Sequence, residues 1–516
     1  MPISVPMMFA FGVPLVTAWA IALSAAWRGH AQELINPTGW ALADRRLAGV
    51  KLWAVLGATI FTAYTYIVMP GRAFLSGGCA YYAVAYMVMV TPLGFLILPR
   101  FREFAAEHGF VTAADFVRAR NSSHVLALVV ALTSLLAAVP YLTLQVVSLR
   151  TLLDAMGLPP GSTAGRCAIL AMFTVHAVTT HRGGLRVPVS VAMLKAVLIL
   201  GTIVTAFVMV AVKLGPLGPV LERAQGALAD RGGSILIAPM TPTAYATLAL
   251  GSALALLVYP HVVTLAYASR TSESLRKSVV FLPVWTLVLG CFTLLGVIAA
   301  GLIPVSAGAG ALAVPLLIRH LAPGPAAGLM FGAITVGSLL PAAVLCLAVA
   351  MQFARNVYSE YINPTATPKH EVQVARFTAL VLRVAALVCA LLLHPQDAVN
   401  LHLLGGVWMV QVFPTVAIGL FTAWFHPRAL LAGWGVGMAA GTWLSVAHGF
   451  SPIVTLPWGR AGLQVYTAVV ALALNLGTAV LLTVILQRMG VARGIDTTGG
   501  GGPLERRGRS TRMRVH

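Results

Sequence analysis

The chain has 516 residues, of which 59% are hydrophobic and only 9% are charged. Because a soluble domain carries about 25% charged residues, this composition excludes an ordinary soluble protein. The net charge of +20 comes without a basic patch interleaved with aromatic residues, so nucleic acid is not an expected partner. The five cysteines form no CxxC pair, which argues against a disulfide framework and against a zinc site.

Apolar stretches about 20 residues long recur along the whole sequence, and each is long enough to cross the hydrocarbon core of a lipid bilayer. They predict an all-α polytopic membrane protein with about thirteen spans. The first stretch has no basic region before it, so we interpret it as a retained span rather than a signal peptide. The predicted spans begin near residues 7, 50, 77, 124, 165, 188, 243, 277, 325, 373, 399, 427 and 465.

The distribution of positive charge predicts the orientation. An odd number of spans places the two termini on opposite sides of the membrane. With the N-terminus outside, the cytoplasmic loops and tail hold 23 of the 34 Lys and Arg residues, whereas the external loops hold seven. Because Lys and Arg favour the cytoplasmic side, we predict a cell-membrane protein with its N-terminus outside and its C-terminus in the cytoplasm.

The C-terminal segment, residues 491–516, combines a glycine run with arginines. This composition predicts a disordered basic cytoplasmic tail. Attraction to anionic lipid is one interpretation of its charge, and a solvated tail that only helps to set the topology is another.

Two of the predicted spans contain residues that interrupt a helix. The second span has Thr59 and Thr62 near the middle of the membrane and ends at Pro70, and the seventh has Pro260 and His261 in its middle. Interrupted membrane helices expose free carbonyl and amide groups, and a spacing of five spans between them is typical of two inverted repeats. The alternative interpretation is that the proline only kinks its helix and that the threonines bond to their own helix.

Several segments resemble the sodium/solute symporter family, in the order and spacing of that family. They are "INPTGWALADRRLAGVKLWAVLGAT", "LPRFREFAAEHGFVTAADFVRARNSS", "HRGGLRVPVSVAMLKAV", "YPHVV" and "LLGGVWMVQVFPTVAIGLF". Within the family, "YLTLQV" and "LLGGVWMVQ" look most like the branch that takes up short monocarboxylates.

The resemblance implies a LeuT-type fold with five-plus-five inverted repeats, one extra N-terminal helix and two extra C-terminal helices. We expect residues 1–490 to form the transporter domain. Spans 2–6, at about 50–213, would be repeat one, and spans 7–11, at about 243–448, would be repeat two.

The resemblance also implies an ion site between the first and eighth core helices. Backbone carbonyls of Ala58 and Phe61 would contribute from the first helix, and the carbonyl of Ala343 from the eighth. The hydroxyl positions of the family fall at Cys346 and Leu347, and neither residue carries a hydroxyl. Since sodium is a hard cation that prefers oxygen ligands, we expect this site to be degenerate.

Two further positions lack the oxygen atoms that the family often has there. Ile60 takes the place of an Asp in the first core helix, and Val191-Ala192 takes the place of a Thr-Asp pair in the fifth. Lys195 lies three residues beyond Ala192, and an ionisable residue in a membrane span indicates a functional role. Its ammonium could pair with a substrate carboxylate, replace a cation or exchange a proton, or it could simply reach the membrane interface.

Two other polar residues lie in predicted spans. His261 can exchange a proton near neutral pH or donate a hydrogen bond to a carboxylate, and it could equally bond a carbonyl that Pro260 frees. Gln145 follows Pro140 and could bind substrate or brace neighbouring helices.

The sequence therefore predicts a secondary active transporter, not an enzyme, because its 14 acidic residues form no catalytic cluster. A short monocarboxylate is the expected substrate, imported by alternating access and coupled to protons or weakly to sodium, with no other cofactor. The alternative is a transporter-like sensor that acts through a separate signalling partner. The oligomeric state stays open. The candidate substrate-binding residues are Thr59, Thr62, Gln145, Tyr259, His261 and Lys195.

Overall fold

The computed structural model describes residues 4–28, 35–237, 240–305, 309–393, 395–457 and 462–499. Helices dominate this part of the chain, and one short β-hairpin joins the last two of them. The helices of the first half are α1 Val5–Arg28, α2 Pro37–Leu42, α3 Gly49–Ile60, α4 Tyr64–Ser76, α5 Tyr82–His108, α6 Ala113–Asn121, α7 His124–Ala155, α8 Thr163–Gly183, α9 Arg186–Leu214 and α10 Leu217–Ala229.

The second half begins with the short helices that surround the second break and ends with the hairpin and the last span. Its elements are α11 Pro242–Val258, α12 Pro260–Ala268, α13 Ser272–Val280, α14 Pro283–Ala300, α15 Ala309–Leu321, α16 Gly324–Phe353, α17 Pro368–Leu392, α18 Pro395–Val410, α19 Phe413–Val416, α20 Pro427–Ala447, β1 Ile453–Leu456, β2 Leu463–Tyr466 and α21 Thr467–Arg488.

Within the described residues, nine straight helices are long and apolar enough to cross a membrane, and three bent pairs raise the number to twelve. The remaining predicted span, near residue 165, corresponds to α8. This helix is 21 residues long but less apolar, because it carries charged residues such as Arg166 and Arg182. The chain is a multi-pass membrane protein.

Both predicted helix breaks are confirmed. The axis bends by 57° between α3 and α4, and by 50° between α11 and α12. At the second break, Tyr259 is extended, with φ −60° and ψ 136°, because a residue before a proline avoids the helical conformation. The structure has a third bend of 43° after α18, which the sequence analysis did not predict. Pro414 explains it, since a proline has no N–H for the carbonyl of Val410.

Helix α16 forms the centre of the molecule. Its apolar stretch is 94% buried, the highest value among the nine straight spans of the described residues. It packs against α1, α7, α9 and α17 and against the short helix α12. Helix α3 also packs against α16. A helix from each of the two broken spans therefore contacts α16.

The structure differs from the sequence prediction at the start of the tail. Asp496 forms an ion pair with Arg120 at 2.9 Å, and the Thr497 hydroxyl donates to the carbonyl of Ala119 at 2.9 Å. Residues 495–498 are thus held at the end of α6 by specific bonds, although the composition of the segment predicts disorder. The predicted disorder of residues 500–516 lies outside the described residues.

Close backbone contact between α14 and α4 depends on Gly296. A Cβ atom there would lie 2.1 Å from the carbonyl oxygen of Pro70, whereas a Cβ at Gly290 would meet only Val84, at 3.7 Å. We predict that Gly296→Ala lowers the free energy of unfolding by about 1–3 kcal/mol, because the backbones must separate. Gly290→Ala, in the same helix, should cause no loss. Thermal unfolding in detergent tests this, and equal stabilities of the two variants would contradict it.

Candidate functional site

The side chain of Lys195 joins the first broken helix to α16. Its Nζ donates to the carbonyl oxygens of Ala58 at 2.5 Å, Phe61 at 2.7 Å and Gly337 at 2.6 Å. The side chain is fully buried. An ammonium group has three N–H donors, so these three carbonyls satisfy all of them. We call this group the lysine cage.

The three carbonyls are available because local structure frees each of them. Ala58 and Phe61 lie at the end of α3, where the last carbonyls of a helix have no partner within it. In α16 the N–H that would bond Gly337 belongs to residue 341, which is a proline and has none. Pro341 thus releases the one carbonyl of α16 that faces Lys195.

Tyr66 completes the lysine cage. Its ring centroid lies 5.6 Å from the ammonium, within cation–π distance, and its hydroxyl donates to the Phe61 carbonyl at 3.2 Å. A Cβ at residue 337 would lie 2.9 Å from the ring, so a glycine is needed for this close approach.

Lys195 bonds α16 at a position other than the predicted ion-site carbonyl of Ala343. The carbonyl opposite Ala58 and Phe61 is that of Gly337, six residues before Ala343. Cys346 and Leu347 are both buried in the apolar core.

A sodium ion does not fit between these two helices in this structure. The first-helix carbonyls of Ala58 and Phe61 are bonded to the Lys195 ammonium. The resemblance places the two hydroxyl positions three and four residues after the α16 carbonyl. Counted from Gly337, these positions are Leu340 and Pro341, and neither has a hydroxyl. A second cation would therefore meet the positive charge of Lys195 beside the same carbonyls.

The break between α3 and α4 is closed by two further side chains. The Gln145 Oε1 atom accepts a hydrogen bond from the Ala63 N–H at 3.0 Å, and the Thr62 hydroxyl accepts one from the Tyr64 N–H at 3.1 Å. Gln145 also donates to the Tyr141 carbonyl at 3.2 Å. Its bonds are therefore those of a brace between helices.

Beside the break, between α3, α7, α11 and α18, lies a cavity of about 80 Å³, which we call the inner cavity. Of the predicted substrate-binding residues, Thr62 and Tyr259 line it. Thr59 bonds back to the Val55 carbonyl of its own helix at 2.6 Å. The inner cavity is lined by Ile60, Thr62, Tyr64, Tyr86, Tyr141, Ser252, Ala255, Leu256, Tyr259, His402, Leu403, Gly406 and Tyr466.

Two histidines and two tyrosines form a cluster at the inner cavity. The ring of Tyr141 lies 5.5 Å from that of Tyr259, 5.3 Å from that of His261 and 5.1 Å from that of His402, measured between centroids. His261 is fully buried, and neither of its ring nitrogens has a hydrogen-bond partner among the described residues. The same holds for Nδ1 of His402. Buried polar atoms are normally bonded, so these nitrogens point to a ligand.

Along α4 lies a larger cavity of about 750 Å³, which we call the vestibule. Tyr82 lines the vestibule and Tyr64 lines the inner cavity, and their hydroxyls are hydrogen-bonded to each other. The two cavities therefore approach each other at this tyrosine pair. Loop residues such as Ser451, just before β1, form part of the vestibule wall.

Sequence reasoning missed several residues of these cavities. Gly337 could have been found from Pro341, because a proline always frees the carbonyl four residues before it. Tyr466 comes from the hairpin beyond the predicted repeats, and no local motif marks it. The apolar sequence around His402 favours a packing role, and only the structure places this residue at the inner cavity.

The chain is similar to several known proteins. The model of the sodium:solute symporter family matches residues 40–441. The chain is 36% identical over 481 residues to a "monocarboxylate transport permease protein" of Rhizobium johnstonii, covering 93% of this chain and 96% of the relative. It is 28% identical over 425 residues to the uncharacterized symporter YodF of Bacillus subtilis, covering 82% of this chain and 84% of that protein.

Two solved structures share the fold. One is a Na+-coupled sialic acid symporter in a substrate-bound outward-open state, with a TM-score of 0.76 and 15% identity, covering 93% of this chain and 98% of that one. The other is Mhp1, a nucleobase-cation-symport-1 family transporter, with a TM-score of 0.53 and 14% identity, covering 88% of this chain and 96% of that one.

The lysine cage makes a prediction about stability. Lys195→Met leaves the buried carbonyls of Ala58 and Gly337 without a donor, whereas that of Phe61 keeps its bond from Tyr66. Each such loss costs about 1–3 kcal/mol, so we expect the free energy of unfolding to fall by about 2 kcal/mol or more. Lys213→Met is the matched control, because Lys213 lies exposed at the end of the same helix. Unfolding in sodium-free detergent measures both variants, and similar losses in the two would contradict the role of the lysine cage.

Proposed function

Because this chain belongs to the sodium:solute symporter family, we propose that it imports a short monocarboxylate by alternating access. Membership of the family makes it a secondary transporter of a small molecule and not an enzyme. Its fold is the LeuT type, as in the sialic acid symporter. The substrate and the coupling ion are the parts that the proposal adds.

The chemistry of the inner cavity supports a small anion. Its volume of about 80 Å³ leaves room for only a few groups the size of a water molecule. The observation that carries the proposal is the pair of histidines, His261 and His402, with unbonded buried ring nitrogens beside the cavity. A carboxylate can accept hydrogen bonds from ring N–H groups and from the hydroxyls of Tyr141 and Tyr259, and bonds to a charged acceptor are strong ones. The name of the Rhizobium relative points to the same class of substrate.

We infer that the coupling ion is a proton carried by Lys195. A protonated amine donates to all three carbonyls of the lysine cage. A neutral amine has two N–H groups and a lone pair, so one carbonyl would face the lone pair and lose its bond. Loss of the proton therefore weakens the contact between the first broken helix and α16. Such a link between protonation and helix packing is what coupled transport requires.

Orientation is part of the same proposal. The excess of Lys and Arg in the predicted cytoplasmic loops supports an external N-terminus and a cytoplasmic C-terminus in the cell membrane. With this orientation the vestibule opens to the outside, and Lys195, Thr62 and His261 lie deeper in the membrane. No contact among the described residues favours the alternative, a sensor with a separate signalling partner.

The substrate proposal is tested by uptake of labelled pyruvate or acetate into proteoliposomes. We expect saturable uptake that other short monocarboxylates inhibit and that neutral amides do not. His261→Phe keeps the ring and removes its nitrogens, so the KM should rise about tenfold. His448→Phe is the control, because His448 is exposed at the end of α20 and bonds only the preceding turn. Absence of uptake for every monocarboxylate would refute the substrate class.

The coupling proposal is tested by imposing proton and sodium gradients separately. Wild-type uptake should follow the proton gradient without sodium. Lys195→Arg keeps a permanent positive charge, so it should fold, yet its uptake should no longer respond to the proton gradient. Sodium steps alone should change neither protein. A steep sodium dependence of the wild type, or proton-driven uptake by the arginine variant, would overturn the role of Lys195.

A further inference from the structure

The vestibule contains one charged side chain among the described residues that line it, and that side chain is Arg72. Arg72 is partly exposed and lies on α4, eight residues after the helix begins at Tyr64. Most of the remaining wall is apolar. It includes Ile67, Val68, Leu75, Leu144, Val147, Leu248, Val399 and Ile453.

Arg72 has most of its hydrogen-bonding capacity unused. Its one side-chain bond to a described residue is a long contact of 3.4 Å from Nη1 to the Tyr82 hydroxyl. A guanidinium has five N–H donors in a fixed fork. Among the described residues, no Asp or Glu forms an ion pair with it. An arginine that faces a cavity in an apolar wall without a carboxylate partner is well placed to receive one from a ligand.

The neighbours of Arg72 connect it to the inner cavity. Tyr82 bonds both Arg72 and Tyr64, and the ring of Tyr64 packs against His402 with centroids 5.4 Å apart. A chain of contacts thus runs from the guanidinium, through the tyrosine pair, to a histidine of the inner cavity. A ligand that bonds Arg72 would lie on the vestibule side of the tyrosine pair.

We propose that Arg72 forms an outer carboxylate subsite, where the anionic end of the solute binds in the vestibule before it passes the tyrosine pair. The guanidinium fork matches the two oxygens of a carboxylate. The apolar wall accommodates a short aliphatic remainder. This inference deepens the proposed function and rests on its substrate class, but the subsite is separate from the inner cavity and can be measured without transport.

A native cysteine provides the reporter. Cys79 lines the vestibule, and its thiol hydrogen-bonds with Ser76, one turn after Arg72 on the same helix. A carboxylate on Arg72 should shield this thiol. The rate at which a thiol reagent modifies Cys79, followed by mass spectrometry of its peptide, is measured in the full-length protein with increasing acetate or pyruvate. Acetamide serves as the uncharged probe of the same size.

We expect acetate and pyruvate to slow the modification of Cys79 in the wild type, and acetamide to have no effect. Arg72→Gln should raise the half-protecting concentration about tenfold or more, and Arg72→Lys by less, since it keeps the charge without the fork. Arg231→Gln is the matched control. Arg231 lies near the vestibule but stacks on Phe74 and bonds the carbonyls of Phe74 and Ala300.

Protection that is equal in Arg72→Gln and the wild type, or equal for acetate and acetamide, would overturn the subsite. So would the absence of protection in a wild-type protein that transports a monocarboxylate. Protection that depends on Arg72 in a protein that takes up no monocarboxylate would support the subsite and count against the proposed transport substrate. The two proposals can therefore fail separately.

Discussion

A helix that breaks inside a membrane must find partners for the backbone groups that it frees, because the hydrocarbon supplies none. At the break between α3 and α4, three side chains bond the freed groups. One belongs to the break itself, and the other two come from neighbouring helices. Lys195 of α9 bonds the freed carbonyls of Ala58 and Phe61, Gln145 of α7 bonds the freed amide of Ala63, and Thr62 bonds the amide that starts α4. The positions of α7, α9 and α16 relative to the break follow from these bonds.

The same bonds connect the lysine cage to both cavities. Tyr64 is the first residue of α4 and belongs to the tyrosine pair, and Arg72 lies two turns further along that helix. A change that loosens the break would move α4 as one piece, since its backbone bonds are internal to the helix. The protonation state of Lys195 and the separation of vestibule from inner cavity are therefore mechanically linked in our proposal. The link is short because the break and Tyr64 of the tyrosine pair are adjacent on the same helix.

The sequence predicted the features that depend on local chemistry. Apolar length indicated the spans, Pro260 marked the second break, and a lysine within an apolar run marked an unusual site. Features that depend on register or on distant contacts were missed. The bond between Lys195 and the Gly337 carbonyl was not predicted, because it joins residues 142 positions apart in the sequence. Tyr466 reaches the inner cavity from a hairpin that contains only four residues in each strand.

A cation that is tethered to the chain changes what a transport cycle can exchange. A bound sodium ion can leave together with the substrate, but an ammonium on Lys195 cannot. It can release only its proton, and the amine stays among the carbonyls of Ala58, Phe61 and Gly337. The absence of side-chain oxygens at Ile60, Leu340 and Pro341 fits our proposal, because a cage that holds an ammonium through three carbonyls needs no further oxygen. In that proposal the oxygen-poor site and the buried lysine belong together, and a fixed positive charge does the work of a mobile one.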